Sequence, residues 1–284
     1  MEHLRHIFQK SGIETTSIRL ITGGDINDAF CATTPTGTRY FIKTNRADSF
    51  PQMFQKEELG LEALENSNTL FVPRVYDCGL SGSLQYLILE WLENGHPARN
   101  FWEDFGTQLA LMHQVQQPYF GWEQDNYIGS LPQKNVKYTR WDEFYAACRV
   151  LPLVKLLFDR GHLDNGDVLR AQNFCKKLNE LFATEPPSLL HGDLWSGNFM
   201  AKETGFAAVF DPAVYFGHRE MDIGMTLLFG GFDNKFYEAY QQTHPMEKGW
   251  QHRVNYTQLY PLLVHSLLFG GHYITRVRSL FIKF

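Results

Sequence analysis

Clustered cysteine is the first thing missing. Cys31, Cys78, Cys148 and Cys175 are scattered, with no C-x-x-C pair among them. A zinc site or a disulfide framework needs tighter spacing, so reduced, mostly buried thiols in a cytoplasmic protein are expected. No Lys/Arg-rich block is present either, and 26 basic residues against 31 acidic ones leave a formal charge of −5. That balance argues against nucleic acid or an anionic membrane surface as the main partner. It does not oppose a nucleotide site, which needs only a few local cations. The longest apolar stretch, around 259–274, contains His265, Ser266 and His272 and falls short of a spanning helix. The opening Met1-Glu2-His3-Leu4-Arg5 lacks the apolar core of a signal peptide. Internal repeats and low-complexity tracts are absent. A soluble protein without a membrane partner is the expectation.

What is present is a balance suited to packed cores: 44% hydrophobic and 20% charged residues across 284 positions, enough for one or two domains. The first ninety residues read as strand-rich with one helix. Ser17–Ile21, Ala29–Thr33 and Arg39–Lys43 are predicted strands, the last two joined through the turn Pro35-Thr36-Gly37-Thr38. Pro51 opens a helical pattern with Phe54, Leu61 and Leu64 on one face, and Gln85–Leu89 is a further β-type run. After Asn94-Gly95 the character changes. Phe101, Phe105, Leu109 and Met112 recur at helical spacing, and helix is predicted for most of the remainder, save short strands and loops within 188–211. The sketch is an α+β chain with a β-rich lobe over residues 1–92, a junction near 90–95 and a larger helical lobe over 96–284.

The most informative segment is His191-Gly192-Asp193-Leu194-Trp195-Ser196-Gly197-Asn198. An acid and an amide five positions apart suit phosphoryl transfer: the carboxylate of Asp193 orients an attacking hydroxyl and accepts its proton, while the amide oxygen of Asn198 holds a metal on the phosphates. Asp211 closes the apolar run Phe206–Phe210, where a carboxylate suits Mg²⁺. Upstream, Lys43 stands in an apolar strand where a free ammonium is costly unless paired. Glu57 is the candidate partner, with Glu58 as its neighbour. The turn Gly23-Gly24-Asp25-Ile26-Asn27 lies between two strands, where a phosphate-covering turn belongs, though it is not G-x-G-x-x-G. Pro212 stiffens the turn after Asp211, no Ser or Thr occurs between Asp211 and Asp222, and no Ala-Pro-Glu follows. These features separate the chain from protein kinases.

Together these residues resemble the fructosamine (ketosamine) 3-kinase family, within the aminoglycoside phosphotransferase-like kinases. The likeness runs over essentially the whole chain: Gly23–Asn27, Phe41–Asn45, Leu89–Leu92, Asp125–Gly129, Pro132-Gln133, His191–Asn198, Asp211–Asp222, Leu228–Phe232 and Tyr260–Leu263. The resemblance implies a bilobal protein-kinase-like fold using ATP and Mg²⁺. It also implies phosphorylation of the O3 hydroxyl of fructosamine, ribulosamine or erythrulosamine adducts of lysine. Whether the adduct is free or on a protein, and whether the chain is a monomer or homodimer, stay open. The phosphorylated adduct falls away, so the activity is deglycation. The resemblance further implies that the backbone of Glu90, Trp91 and Leu92 meets adenine and that Asp222, with His191, braces the catalytic loop; a plain helix-start acid is the alternative for Asp222. Trp195, Tyr215, His218 and Arg219 are candidates to border the acceptor, with Phe216 and Glu220 beside them, or else are core. Asp125-Asn126 either contacts substrate or caps a turn. Where some family members carry a redox cysteine, this chain has Asp25. The rival readings are a kinase for another small hydroxylated amine (aminoglycoside, choline or homoserine) and a catalytically silent nucleotide-binding module.

Overall fold

Hydrophobic periodicity places two helices on opposite faces of one sheet, and this arrangement positions everything that follows. The computed structural model describes residues 2–22 and 26–284. Its first part runs α1 (Glu2–Lys10), β1 (Ser17–Ile21), β2 (Asp28–Thr33), β3 (Arg39–Arg46), α2 (Met53–Asn66), β4 (Val75–Ser81) and β5 (Leu84–Glu90). The strands form an antiparallel sheet in the order β1-β2-β3-β5-β4. Successive side chains of a strand face opposite ways, and β5 shows the result. Tyr86 and Ile88 pack with Leu4, Ile7 and Phe8 of α1, while Leu87 and Leu89 pack with Phe54, Leu61 and Leu64 of α2. Lys43 sits at the middle of the central strand β3, opposite Ala29 on one side and Leu87 on the other.

Beyond β5 follow α3 (Phe101–Met112), the hairpin β6 (Asn126–Ile128) and β7 (Leu131–Gln133), and α4 (Trp141–Phe144). A π-helical stretch (Tyr145–Val150) leads into α5 (Leu151–Asp159), α6 (Asn165–Lys176) and α7 (Leu178–Leu181). Four short strands come next: β8 (Ser188–Leu190), β9 (Phe199–Ala201), β10 (Ala207–Val209) and β11 (Tyr215–Gly217). The chain finishes with α8 (Glu220–Thr226), α9 (Asn234–Thr243), α10 (Trp250–Thr257), α11 (Leu259–Phe269) and α12 (His272–Phe281). β9 pairs with β10, and β8 with β11, both antiparallel. One hydrophobic core joins α2 and β5 to α3, β10 and α9, through Leu61, Leu89, Phe105, Val209 and Phe236. A second core lies wholly within the helical part, around Phe144, Leu157, Phe174 and Leu263.

The structure corrects the sequence reading in three places. Among the described residues, the first ninety hold two helices, since α1 buries Leu4, Ile7 and Phe8 at i, i+3 and i+4 behind the sheet. β4 has no clean alternation because it is an edge strand with an irregularity between Val75 and Asp77. Short strands also lie outside 188–211, in β6, β7 and β11. Each is three residues long, below the length at which periodicity can be read.

Candidate active site

Between the sheet and the helical part lies a cavity of about 710 Å³. The sheet side contributes Ile21, Ala29, Phe41 and Lys43, and the other side contributes Asp193, Asn198 and Asp211. The Lys43 ammonium is nearly enclosed, and its Nζ donates to Glu57 Oε1 at 2.7 Å and to Asp211 Oδ1. Burial by itself would lower the Lys43 pKa, but Asp211 and Glu57 outweigh it and hold the group above its ordinary value. Burial and the nearby Asp211 charge push the Glu57 carboxyl up, against the pull of Lys43. Two carboxylates therefore share one ammonium. Glu58, one position on, turns its carboxyl toward Cys78 instead.

The catalytic loop is shaped by glycine where the chain has no room. Gly192 has φ +83°, and a Cβ there would stand 2.1 Å from the Ala213 carbonyl oxygen. At Gly197 a Cβ would run into the Trp195 ring. From behind, the buried Asp222 carboxylate accepts from the backbone N–H of His191 at 2.8 Å and of Gly192 at 2.9 Å. His113 Nε2 lies 3.2 Å from the same carboxylate. His191 is fully buried and neutral, its pKa lowered first by burial. Its Nε2 bonds the Phe210 carbonyl at 3.1 Å, and its Nδ1 accepts from the Asp193 N–H at 3.3 Å.

At the front of the loop, Asn198 Nδ2 donates to Asp193 Oδ2 at 3.0 Å and to the Asp193 carbonyl at 2.9 Å. Burial, followed by the charge of Asp211, raises the Asp193 pKa to about 7. A carboxylate tuned toward neutrality is a better proton acceptor than an ordinary aspartate. Asp211 adopts φ 57°, a left-handed conformation that Asp tolerates better than most residues. Its carboxylate and the Asn198 amide oxygen are hard oxygen donors on the same cavity wall, a set that fits a divalent cation bridging phosphates.

Other predicted positions fare differently. Ile26 and Asn27 line the cavity, with Asn27 Oδ1 accepting from Asn45 Nδ2 at 2.7 Å, whereas Gly23, Gly24 and Asp25 lie outside the described residues. Glu90, Trp91 and Leu92 are not among the lining residues; Trp91 stands behind Phe41, ring to ring at 6.4 Å. Trp195 is half exposed and borders the cavity, and Tyr215 forms part of its floor. His218 and Arg219 do not reach it. His218 is fully buried and bonds the Ala183 carbonyl at 3.1 Å, and Arg219 pairs with Glu185 at 2.7 Å. Glu220 pairs with Arg253, and Phe216 stacks on Trp122. The reason is directional: β11 carries the chain away from the cavity, so only its first residue, Tyr215, stays there.

One constellation has a role other than the substrate contact or turn cap expected for Asp125-Asn126. Asn126 Nδ2 donates to the Val214 carbonyl at 2.8 Å, and Gln133 Nε2 donates to the Ala213 carbonyl at 3.0 Å. Tyr260 OH donates to Gln133 Oε1 at 2.8 Å, and Asn135 is held by Arg149, a fully buried guanidinium lying 4.1 Å over the Tyr215 ring. The β6–β7 hairpin thus grips the backbone just after Asp211. Asp125 only caps a turn, accepting from the Asn135 N–H at 2.8 Å. The signal available in sequence was three amides, Asn126, Gln133 and Asn135, crowded into ten otherwise ordinary positions.

With this geometry in view, comparison with known proteins is direct. The fructosamine kinase family model matches residues 2–284. A probable ketoamine kinase of Synechocystis is 40% identical over 259 residues, covering 90% of this chain and 85% of the relative. The chloroplastic protein-ribulosamine 3-kinase of Arabidopsis thaliana is 36% identical, covering 94% and 82%. Among solved structures, a Thermobifida fusca protein provisionally named a fructosamine-3-kinase superposes with a TM-score of 0.88 at 35% identity, covering 97% of this chain and 96% of that one. The fold is that of the aminoglycoside phosphotransferase-like kinases.

Proposed function

The chain belongs to the fructosamine kinase family, and from that premise we propose that it transfers the γ-phosphoryl group of ATP to the O3 hydroxyl of a ketoamine carried on lysine. It is a phosphotransferase with a hydroxyl acceptor, using ATP and a divalent metal. The single observation that carries the mechanism is the meeting of Lys43, Asp193, Asn198 and Asp211 in one cavity.

In this reading Asp193 lies against the acceptor hydroxyl and takes its proton as the bond to phosphorus forms. Asn198 orients Asp193 through its amide N–H groups and keeps its own oxygen for metal. Lys43, held by Glu57, meets the α- and β-phosphates, and exchanges its contact with Asp211 for them when nucleotide enters. Mg²⁺ is the metal we assign to Asp211 and Asn198, where it would neutralise charge on the phosphates. We assign adenine to the backbone of residues 90–92, with residues 1–92 and 96–284 as the two lobes flanking the nucleotide. Gly23–Asn27 would cover the phosphates. Trp195 and Tyr215 border the sugar. Among the described residues no helix is long and apolar enough to cross a membrane, and the four free cysteines suit a reducing compartment such as the cytoplasm.

The test is ³¹P NMR of the product formed from Mg·ATP and ribulosyl-lysine, beside a panel of an aminoglycoside, choline and homoserine. A new phosphate ester at C3 of the ketoamine is expected. Turnover of one of the other alcohols with none of any ketoamine would replace this reading with that of a different small-molecule kinase.

A further inference from the structure

The cavity that holds Lys43 is also lined by Tyr260, Pro261, Val264, His265, Leu268 and Phe269 of α11. Most of these residues can only exclude water. The Tyr260 hydroxyl is already engaged by Gln133. His265 differs. Its Nδ1 lies 2.8 Å from the carbonyl oxygen of Pro261, one helical turn back, so Nδ1 carries the proton and Nε2 keeps a lone pair. Among the described residues no partner is found for Nε2. Burial lowers the His265 pKa, which keeps the ring neutral at ordinary pH.

The ring is also fixed in place. Phe229 lies 4.8 Å away, Tyr273 5.1 Å and Phe269 5.4 Å, centroid to centroid. Phe229 in turn meets the Trp195 ring at 5.8 Å, and its carbonyl accepts from Ser196 Oγ at 3.4 Å. The imidazole is therefore tied through Phe229 to the loop that carries Asp193. Trp195 and Phe269 are 36% and 56% exposed, unusual for rings of this size, and both face the cavity.

We propose that His265 is a specificity-determining residue for the acceptor, its Nε2 accepting a hydrogen bond from a donor on the ketoamine, either a sugar hydroxyl or the protonated secondary amine. The inference rests on the functional reading above. A neutral acceptor set among aromatic faces favours a cationic or hydroxylated ligand and repels a carboxylate or phosphate. ATP is thereby kept to the Lys43 side, and the acceptor to the α11 side.

The experiment compares wild type, His265→Phe and His265→Gln in steady-state kinetics with Mg·ATP and erythrulosyl-, ribulosyl- and fructosyl-lysine. Phe keeps a ring and loses the acceptor; Gln restores an acceptor at similar reach. Losing one hydrogen bond to a hydroxyl or cation should lower ketoamine kcat/KM about 10-fold or more in His265→Phe, with the KM for ATP within about twofold of wild type. His265→Gln should recover most of that loss. An equal loss on all three sugars assigns the donor to the amine or a shared hydroxyl, and a loss that grows with sugar length assigns it to a distal hydroxyl. Unchanged ketoamine kinetics in His265→Phe would overturn the proposal, as would a loss matched in the KM for ATP and not rescued by Gln. Wild-type protein inert toward every ketoamine would instead sink the functional reading, and this inference with it.

Discussion

At the scale of single residues, the two acids of the cavity separate by what surrounds them. Asp193 is packed among Asn198, Asp211 and Asp222, and its carboxyl is raised to about 7. Asp193→Asn should cut kcat about 10²–10⁴-fold, the usual yield of a positioned acid–base group, while leaving affinity for Mg·ATP nearly intact. Asp211→Asn should weaken metal-dependent nucleotide binding itself. Calorimetric titration giving one Mg·ATP affinity for both variants and wild type would contradict that division. The Lys43 pair offers a second discrimination. Glu57 holds the ammonium at 2.7 Å whereas Glu58 faces Cys78. Glu57→Gln should therefore raise the KM for ATP, by about 10-fold for a lost charge-assisted bond, and Glu58→Gln should change it little. The reverse order would move the assignment to Glu58. These residues were legible in the sequence because phosphoryl transfer compresses its polar groups into a short loop and one strand end. His218 and Arg219 stayed open between acceptor border and core for the opposite reason. Nearness to Asp211 along the chain says nothing of which way β11 leads, and it leads into the core, toward Ala183 and Glu185.

Among the elements, the β6–β7 hairpin and α11 were the least readable, though the hairpin holds the backbone just after Asp211. Strands of three residues carry no periodicity, and α11 is apolar nearly all round, so neither announces a role. The five-stranded sheet, its edge strand β4 apart, was easier, since the apolar run of β5, buried on both faces, and the glycine turn before β3 show directly in the residues. The function of the hairpin lies in carbonyls it did not supply. Gln133 holds Ala213 and also accepts from Tyr260, while Asn126 holds Val214. Gln133→Leu would leave the Ala213 carbonyl short of a donor and the Tyr260 hydroxyl without an acceptor, both buried. A cost of at least about 2 kcal/mol follows, and a shift in the turn bearing Asp211 should lower kcat about 10- to 100-fold. Asn135→Leu breaks the same network farther from that turn. Comparable destabilisation of both variants in urea, with the loss of kcat confined to Gln133→Leu, is the expected pattern. Equal kcat in the two would mean the hairpin merely packs.

For the whole molecule, the acid limit of stability is set by where the histidines are buried. His191, His218, His244 and His265 all have pKa values below the ordinary 6.5, with burial the largest cause in each. His218 is the clearest case: it is fully buried, with Glu220 and Glu185 pulling its pKa up and Arg253 pushing it down. A depressed folded pKa means that the unfolded chain binds protons the folded chain refuses. Stability from these groups is then fully present above about pH 6.5 and drains as the pH falls through that value toward their folded pKa values. Asp193 works the other way. Its folded pKa of about 7 lies above its unfolded 3.8, so its unfavourable contribution is felt at pH 8 and is relieved as the pH falls through 7. Each proton of difference is worth about 1.4 kcal/mol per pH unit. Urea unfolding of the protein without metal or nucleotide, at pH 7.5, 6.5 and 5.5, should rank three proteins by their acid loss. Asp193→Asn, stripped of the opposing group, should lose stability most steeply, wild type less so, and His218→Gln least. The same order predicts that Asp193→Asn is the more stable protein at pH 8 and that its margin over wild type has narrowed by pH 5.5. A steeper acid loss in His218→Gln than in wild type would show that Glu185 and Glu220 charge that imidazole in the folded state, and that its burial is not what limits the fold in acid.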